Sequence, residues 1–156
     1  MLEIDNIRRE SWSWRNLMGQ DKHFDWTPAP TFATAGDQNL VFSTAIGCWE
    51  RQGNTVQLWA SLVSSTFTHT TAAGSFRIGS IPFLCMNRAG HFPVGVAVMG
   101  GWTKANYTQL SCYASPGLGY LLLRATGSGQ AAADIAAGDI PTGGSVTLYL
   151  NIQYEV

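Results

Sequence analysis

Ser145-Val146-Thr147-Leu148-Tyr149-Leu150-Asn151-Ile152-Gln153-Tyr154 sets the reading of the whole chain. Val146, Leu148, Leu150, Ile152 and Tyr154 alternate with Thr147, Tyr149, Asn151 and Gln153. Successive side chains of a strand point to opposite faces, so a period of two specifies one apolar face and one outward face. The turn residues Pro141-Thr142-Gly143-Gly144 stand directly before it.

Working outward from this strand, six further β-rich runs are found: Val41 to Ala45, Val56 to Phe67, Ser75 to Ile81, Val94 to Met99, Thr108 to Ala114 and Tyr120 to Ala125. Turn clusters separate them, among them Gln52-Gly53-Asn54, Ala72-Ala73-Gly74, Met99-Gly100-Gly101 and Ser115-Pro116-Gly117. Seven to nine short strands at this spacing predict an all-β fold, a jelly-roll-like β-sandwich occupying residues 37–156. The alanine-rich segment Ala131 to Ala137 could hold one helical turn, but the flanking glycines argue for a loop. His69, set among Thr66, Thr68, Thr70 and Thr71, reads as a solvated loop or hairpin end.

Residues 1–36 differ in kind. Ile4, Ile7, Ser11, Trp14 and Met18 share one face at helical spacing, and Gly19 follows where a helix would stop. A helix this short needs a surface for its apolar stripe, whether its own domain, a neighbour or a host scaffold. Gly19 to Asp37, with Pro28 and Pro30, reads as an extended linker that interrupts any ladder. The segment is thus a short N-terminal arm, helical or extended. Ile4, Ile7, Arg8, Arg9, Trp12, Trp14, Arg15, Met18 and Trp26 are its candidate anchoring residues.

From Arg51 to Ala133 the chain contains neither Asp nor Glu. Carboxylates are the commonest general acids and bases, histidine orienters and hard metal ligands, so the strand-rich body is poorly equipped for catalysis. His23, His69 and His91 lack the spacing of a metal site, and no G-x-S-x-G elbow or phosphate loop is present. No enzyme activity, metal or cofactor is expected. Cys48, Cys85 and Cys112 are far apart and read as small buried hydrophobes. The N-terminus lacks a secretory h-region and no run approaches a membrane span, so synthesis in a reducing cytoplasm is expected. A net charge of −1 gives no reason to expect nucleic acid or membrane as partner.

Only 12% of residues are charged, about half of the ~25% usual in soluble domains. Such a deficit points to a surface rich in Ser, Thr, Gly, Asn and Gln, to a large area covered by partner subunits, or to both. Trp49 and Trp59 read as core or interface. Trp102, beside Gly100-Gly101 and near Lys104, Asn106 and Tyr107, is the candidate surface-recognition cluster.

Two segments then resemble a known family. Ile46-Gly47-Cys48-Trp49-Glu50-Arg51-Gln52-Gly53-Asn54-Thr55-Val56 is similar to the G-x-[YW]-x-R-x-G-x-x-V segment of head domains in tailed-phage appendage proteins. Phe76-Arg77-Ile78-Gly79-Ser80-Ile81-Pro82-Phe83 is similar to the family's G-L-P-F segment, with Gly79 displaced by one position and Ile81 for Leu. Asp139-Ile140 and the Leu148 to Tyr154 strand resemble its closing strand. The likeness implies a jelly-roll head assembling as a homotrimer on a virion. With no shaft repeats and a short Trp- and Arg-bearing arm, the expected role is a capsid decoration or cement protein docked on the major capsid protein. The alternative is a tail-fibre tip that binds host surface glycan.

Overall fold

The computed structural model describes His23 to Val156. Ten strands follow in order: β1 (Phe24–Trp26), β2 (Ala29–Thr34), β3 (Asn39–Gln52), β4 (Thr55–Thr68), β5 (Ala73–Gly79), β6 (Val94–Gly100), β7 (Gln109–Ala114), β8 (Leu121–Gly127), β9 (Gln130–Asp134) and β10 (Thr147–Glu155). A single 3-10 turn, Ala137–Asp139, precedes β10. The all-β expectation holds, and each of the seven runs read from the sequence is a strand.

All pairings are antiparallel and follow one path, β1-β3-β4-β10-β6-β7-β8-β5-β2, with β9 beside β8. The sheet curls, so the two layers of the expected sandwich are the two ends of one ladder. The alternation that decided the reading closes the core. Leu148, Leu150, Ile152 and Tyr154 of β10 point inward beside Val56, Leu58, Ala60 and Leu62 of β4. Facing them are Phe32, Phe76, Ile78, Leu121, Leu123 and Ala125 from the other half of the ladder. Tyr154 carries a hydroxyl into this core and donates it to the Phe83 carbonyl at 3.0 Å. Burial holds that phenol well above the usual tyrosine range.

The long β3–β4 hairpin turns through Gly53-Asn54, with Gln52 opposite Thr55. Gly53 has φ +61°, the left-handed backbone that a two-residue hairpin turn requires at its first central position. Arg51 Nε donates to the Gly53 carbonyl at 2.7 Å and braces the turn. The motif segment Ile46 to Val56 is therefore the end of β3, this turn and the start of β4.

Four sequence expectations are corrected. The stretch read as linker contains β1 and β2, so the folded head reaches back to Phe24 rather than starting at Asp37. Pro30 lies within β2, the terminal strand of the ladder, where a missing N–H is tolerated. Trp26, assigned to the anchoring arm, is instead a core residue: it is buried and its indole N–H donates to the Trp59 carbonyl at 3.2 Å. His69 is not solvated; it is buried against Phe32 and Phe67, with Nε2 2.9 Å from the Ile140 carbonyl. A carbonyl only accepts, so Nε2 carries the proton. Ala131 to Ala137, read as a loop, supplies most of β9 and enters the 3-10 turn. The arm residues Ile4, Ile7, Arg8, Arg9, Trp12, Trp14, Arg15 and Met18 lie outside the described residues.

Candidate functional site

The residues of the recognition cluster read from the sequence lie on the β6–β7 connection, where Lys104 and Tyr107 meet each other and are held by the rest of the head. Lys104 Nζ lies 2.7 Å from Asp139 Oδ2 and 5.5 Å from the Tyr107 ring centre. Tyr107 donates its hydroxyl to the Ala131 carbonyl at 2.8 Å. Trp102 is half-buried against the core. Asn106, exposed at φ +69°, makes the tight turn that Asn tolerates better than other side chains. The loop is thus pinned to β9 and the 3-10 turn.

The carboxylates hold the same kind of post. Asp134 accepts from Arg124 Nε at 2.9 Å and Nη2 at 2.8 Å, and from the Tyr113 hydroxyl at 3.1 Å. Arg124 also lies over the Tyr113 ring, 4.3 Å from its centre. The Asp134 hydrogen bonds hold the guanidinium above its ordinary range, while burial raises the Tyr113 phenol. This group sews β7, β8 and β9 together. Asp139 accepts from the Ala136 N–H at 2.9 Å as well as from Lys104. Asp37, between β2 and β3, accepts from the backbone and side chains of Thr70 and Thr71, with backbone distances of 2.8 and 2.7 Å. The Thr70 hydroxyl, foremost among these donors, keeps the Asp37 carboxyl well below the usual carboxylate range.

Among the described residues the cysteines are free, and no three His, Cys, Asp or Glu side chains gather where one ion could bind them. Cys112 sits at the centre of the sheet, and burial pushes its thiol up to about 12. It is a packing residue rather than a thiolate nucleophile at neutral pH.

The feature left over is the outward face of β3-β4-β10-β6. Register places Ile46, Ser61, Tyr149 and Val98 in one row across these four strands. The next row runs Cys48, Trp59, Asn151, Val96 and on to Ser111 of β7. Val63 and Thr147 lie one row to the other side, and Val94 extends β6 beside Tyr113. Ile46, Val94, Val96, Val98 and Tyr149 are each more than half exposed. Neither β4 nor β6 contains a charged residue. Charges stand at the rims: Asp25 on β1, Glu50 near the end of β3, Glu155 at the end of β10 opposite Thr55, and the Arg124–Asp134 pair beyond β7.

The described chain begins on this face. The His23 ring meets the Trp59 ring edge-on at 5.8 Å, and its Nδ1 lies 3.8 Å from Glu50. The described residues thus begin at the rim of this surface. Sequence reading missed this surface, although a signal was there: Val94 to Met99 is apolar on both faces, which a half-solvated strand does not need. Comparisons with protein-family models, curated proteins and solved structures find no match to this chain.

Proposed function

We propose that this chain is a non-enzymatic structural protein of a tailed-phage virion: a homotrimeric capsid decoration protein whose N-terminal arm docks on the major capsid protein. The observation that carries the reading is how the head distributes its charge. Asp37, Asp134, Asp139, Lys104 and Arg124 tie its own turns and strands together, while the middle of the outward β3-β4-β10-β6 face carries no charge. That division suits an assembly module better than a substrate site. The likeness of Ile46 to Val56 and Phe76 to Phe83 to phage head domains supplies the setting. The arm, joined at His23, supplies the anchor.

Gold-labelled antibody on intact virions tests the setting. Label spread over the head is expected. Label confined to the tail end would replace decoration with a glycan-binding fibre tip, and absence from particles would defeat both. The anchor is tested by deleting residues 1–22, which should abolish binding to assembled heads. Binding retained after that deletion would remove the arm from the mechanism.

A further inference from the structure

We propose that the outward face of β3-β4-β10-β6 packs against a second copy of this chain, making it the homo-oligomer interface. The inference deepens the homotrimer in the reading above and does not depend on where a particle carries it.

Size is the first argument. Four strands about 4.8 Å apart, read over five or six residues of about 3.4 Å rise, give a footprint of about 20 Å by 20 Å. With side chains standing off that footprint, the surface approaches the ~800 Å² each partner contributes to a stable interface. Val94, Val96 and Val98 of β6 and Tyr149 beside Val98 form a continuous exposed apolar ridge there, with Ile46 further along the same row across Ser61.

Charge is the second. The rows through Trp59, Ser61 and Val63 hold no charged group on β4, β10 or β6, and charge returns at Asp25, Glu50, Glu155, Arg124 and Asp134. An apolar centre inside a charged rim is the anatomy of an interface between like subunits. A partner that binds through charge finds nothing to engage. Around a three-fold axis such a face meets no like-charge repulsion from the neighbouring copy, one edge of it packing on the opposite edge of the next in a heterologous contact.

The test is the mass of the purified full-length chain by size exclusion with light scattering at tens of micromolar. A multimer is expected. Val96→Asp and, separately, Val98→Asp should each reduce it to monomer with an unchanged far-UV CD spectrum, since both side chains point away from the core. Gln130→Asp on exposed β9 should leave the multimer intact. Radical footprinting should find Tyr149 shielded in the wild type and open in the Val96→Asp monomer. A multimer indifferent to both β6 substitutions would overturn this face while leaving the trimer standing. A wild-type monomer would overturn both, and shielded Tyr149 in such a monomer would identify the chain's own arm as the occupant. Failure of virion labelling with the multimer intact would defeat only the decoration reading.

Discussion

Gly47 has no side chain because the Trp26 indole occupies that place. A Cβ there would overlap Nε1 and the neighbouring ring atoms of Trp26, so β1 can lie on β3 only over a glycine. The contact gives a physical role to one glycine of the Ile46 to Val56 segment and explains how a Trp read as part of the arm becomes core. Gly47→Ala should lower unfolding free energy by about 2 kcal/mol, the usual cost of forcing extra volume into a filled site. Urea denaturation followed by Trp fluorescence measures it. An unchanged midpoint would mean that Trp26 does not cross Gly47. None of this was legible in the sequence, because the partners are 21 positions apart and only strand pairing brings them together. His69 was misread for the same reason: its threonine neighbours suggest solvent, while its true partner, the Ile140 carbonyl, is 71 residues away.

Among the elements, legibility follows length and alternation. The β4 and β10 strands are long and carry a buried stripe at every second position, so their existence and much of their inward set could be read directly, whereas β3, as long as β4, buries only Gly47. The β1, β2 and β9 strands have three, six and five residues, and are proline- or alanine-bearing or too short to show a period. They exist because longer neighbours offer them an edge. The Trp102, Lys104, Asn106 and Tyr107 cluster was legible as a neighbourhood, but its attachment to Asp139 and Ala131 was not. Asp37 shows how such short elements are held, since its carboxylate clasps the β2–β3 turn to the Thr70-Thr71 turn after β4. Its folded pKa lies below the ordinary aspartate value of about 4. A depressed carboxylate contributes stability that is fully present above the unfolded value and is lost as pH falls below it. Asp37→Asn should therefore lower Tm at pH 7, and the gap from wild type should narrow below about pH 4. Thermal melts across pH 2 to 7 decide the matter, and a gap constant with pH would show that the carboxylate charge contributes nothing.

At the scale of the molecule, the boundary between arm and head is set by packing rather than by composition. Gly19 to Asp37 looks like one linker by its prolines and small residues, yet β1 pairs Phe24, Asp25 and Trp26 with Trp49, Cys48 and Gly47. Phe24 also stacks on Trp49, with ring centres 4.5 Å apart, and Trp49 in turn meets Phe83 edge-on at 5.0 Å. The start of the head thus reaches the Phe76 to Phe83 segment through a chain of aromatic contacts. Two truncations separate the alternatives. Removing residues 1–22 leaves all of these contacts and should preserve the far-UV CD and the urea midpoint of the head. Removing residues 1–28 takes away β1 and the buried Trp26, at a cost of about 3–5 kcal/mol, the range for deleting a large core aromatic. It also strips cover from Gly47 and from the exposed flank of β3, so that truncated protein should aggregate through the bared strand edge as well as melt earlier. Equal stability of the two truncated proteins would return Phe24 to Trp26 to the arm and place the start of the head where composition alone suggests.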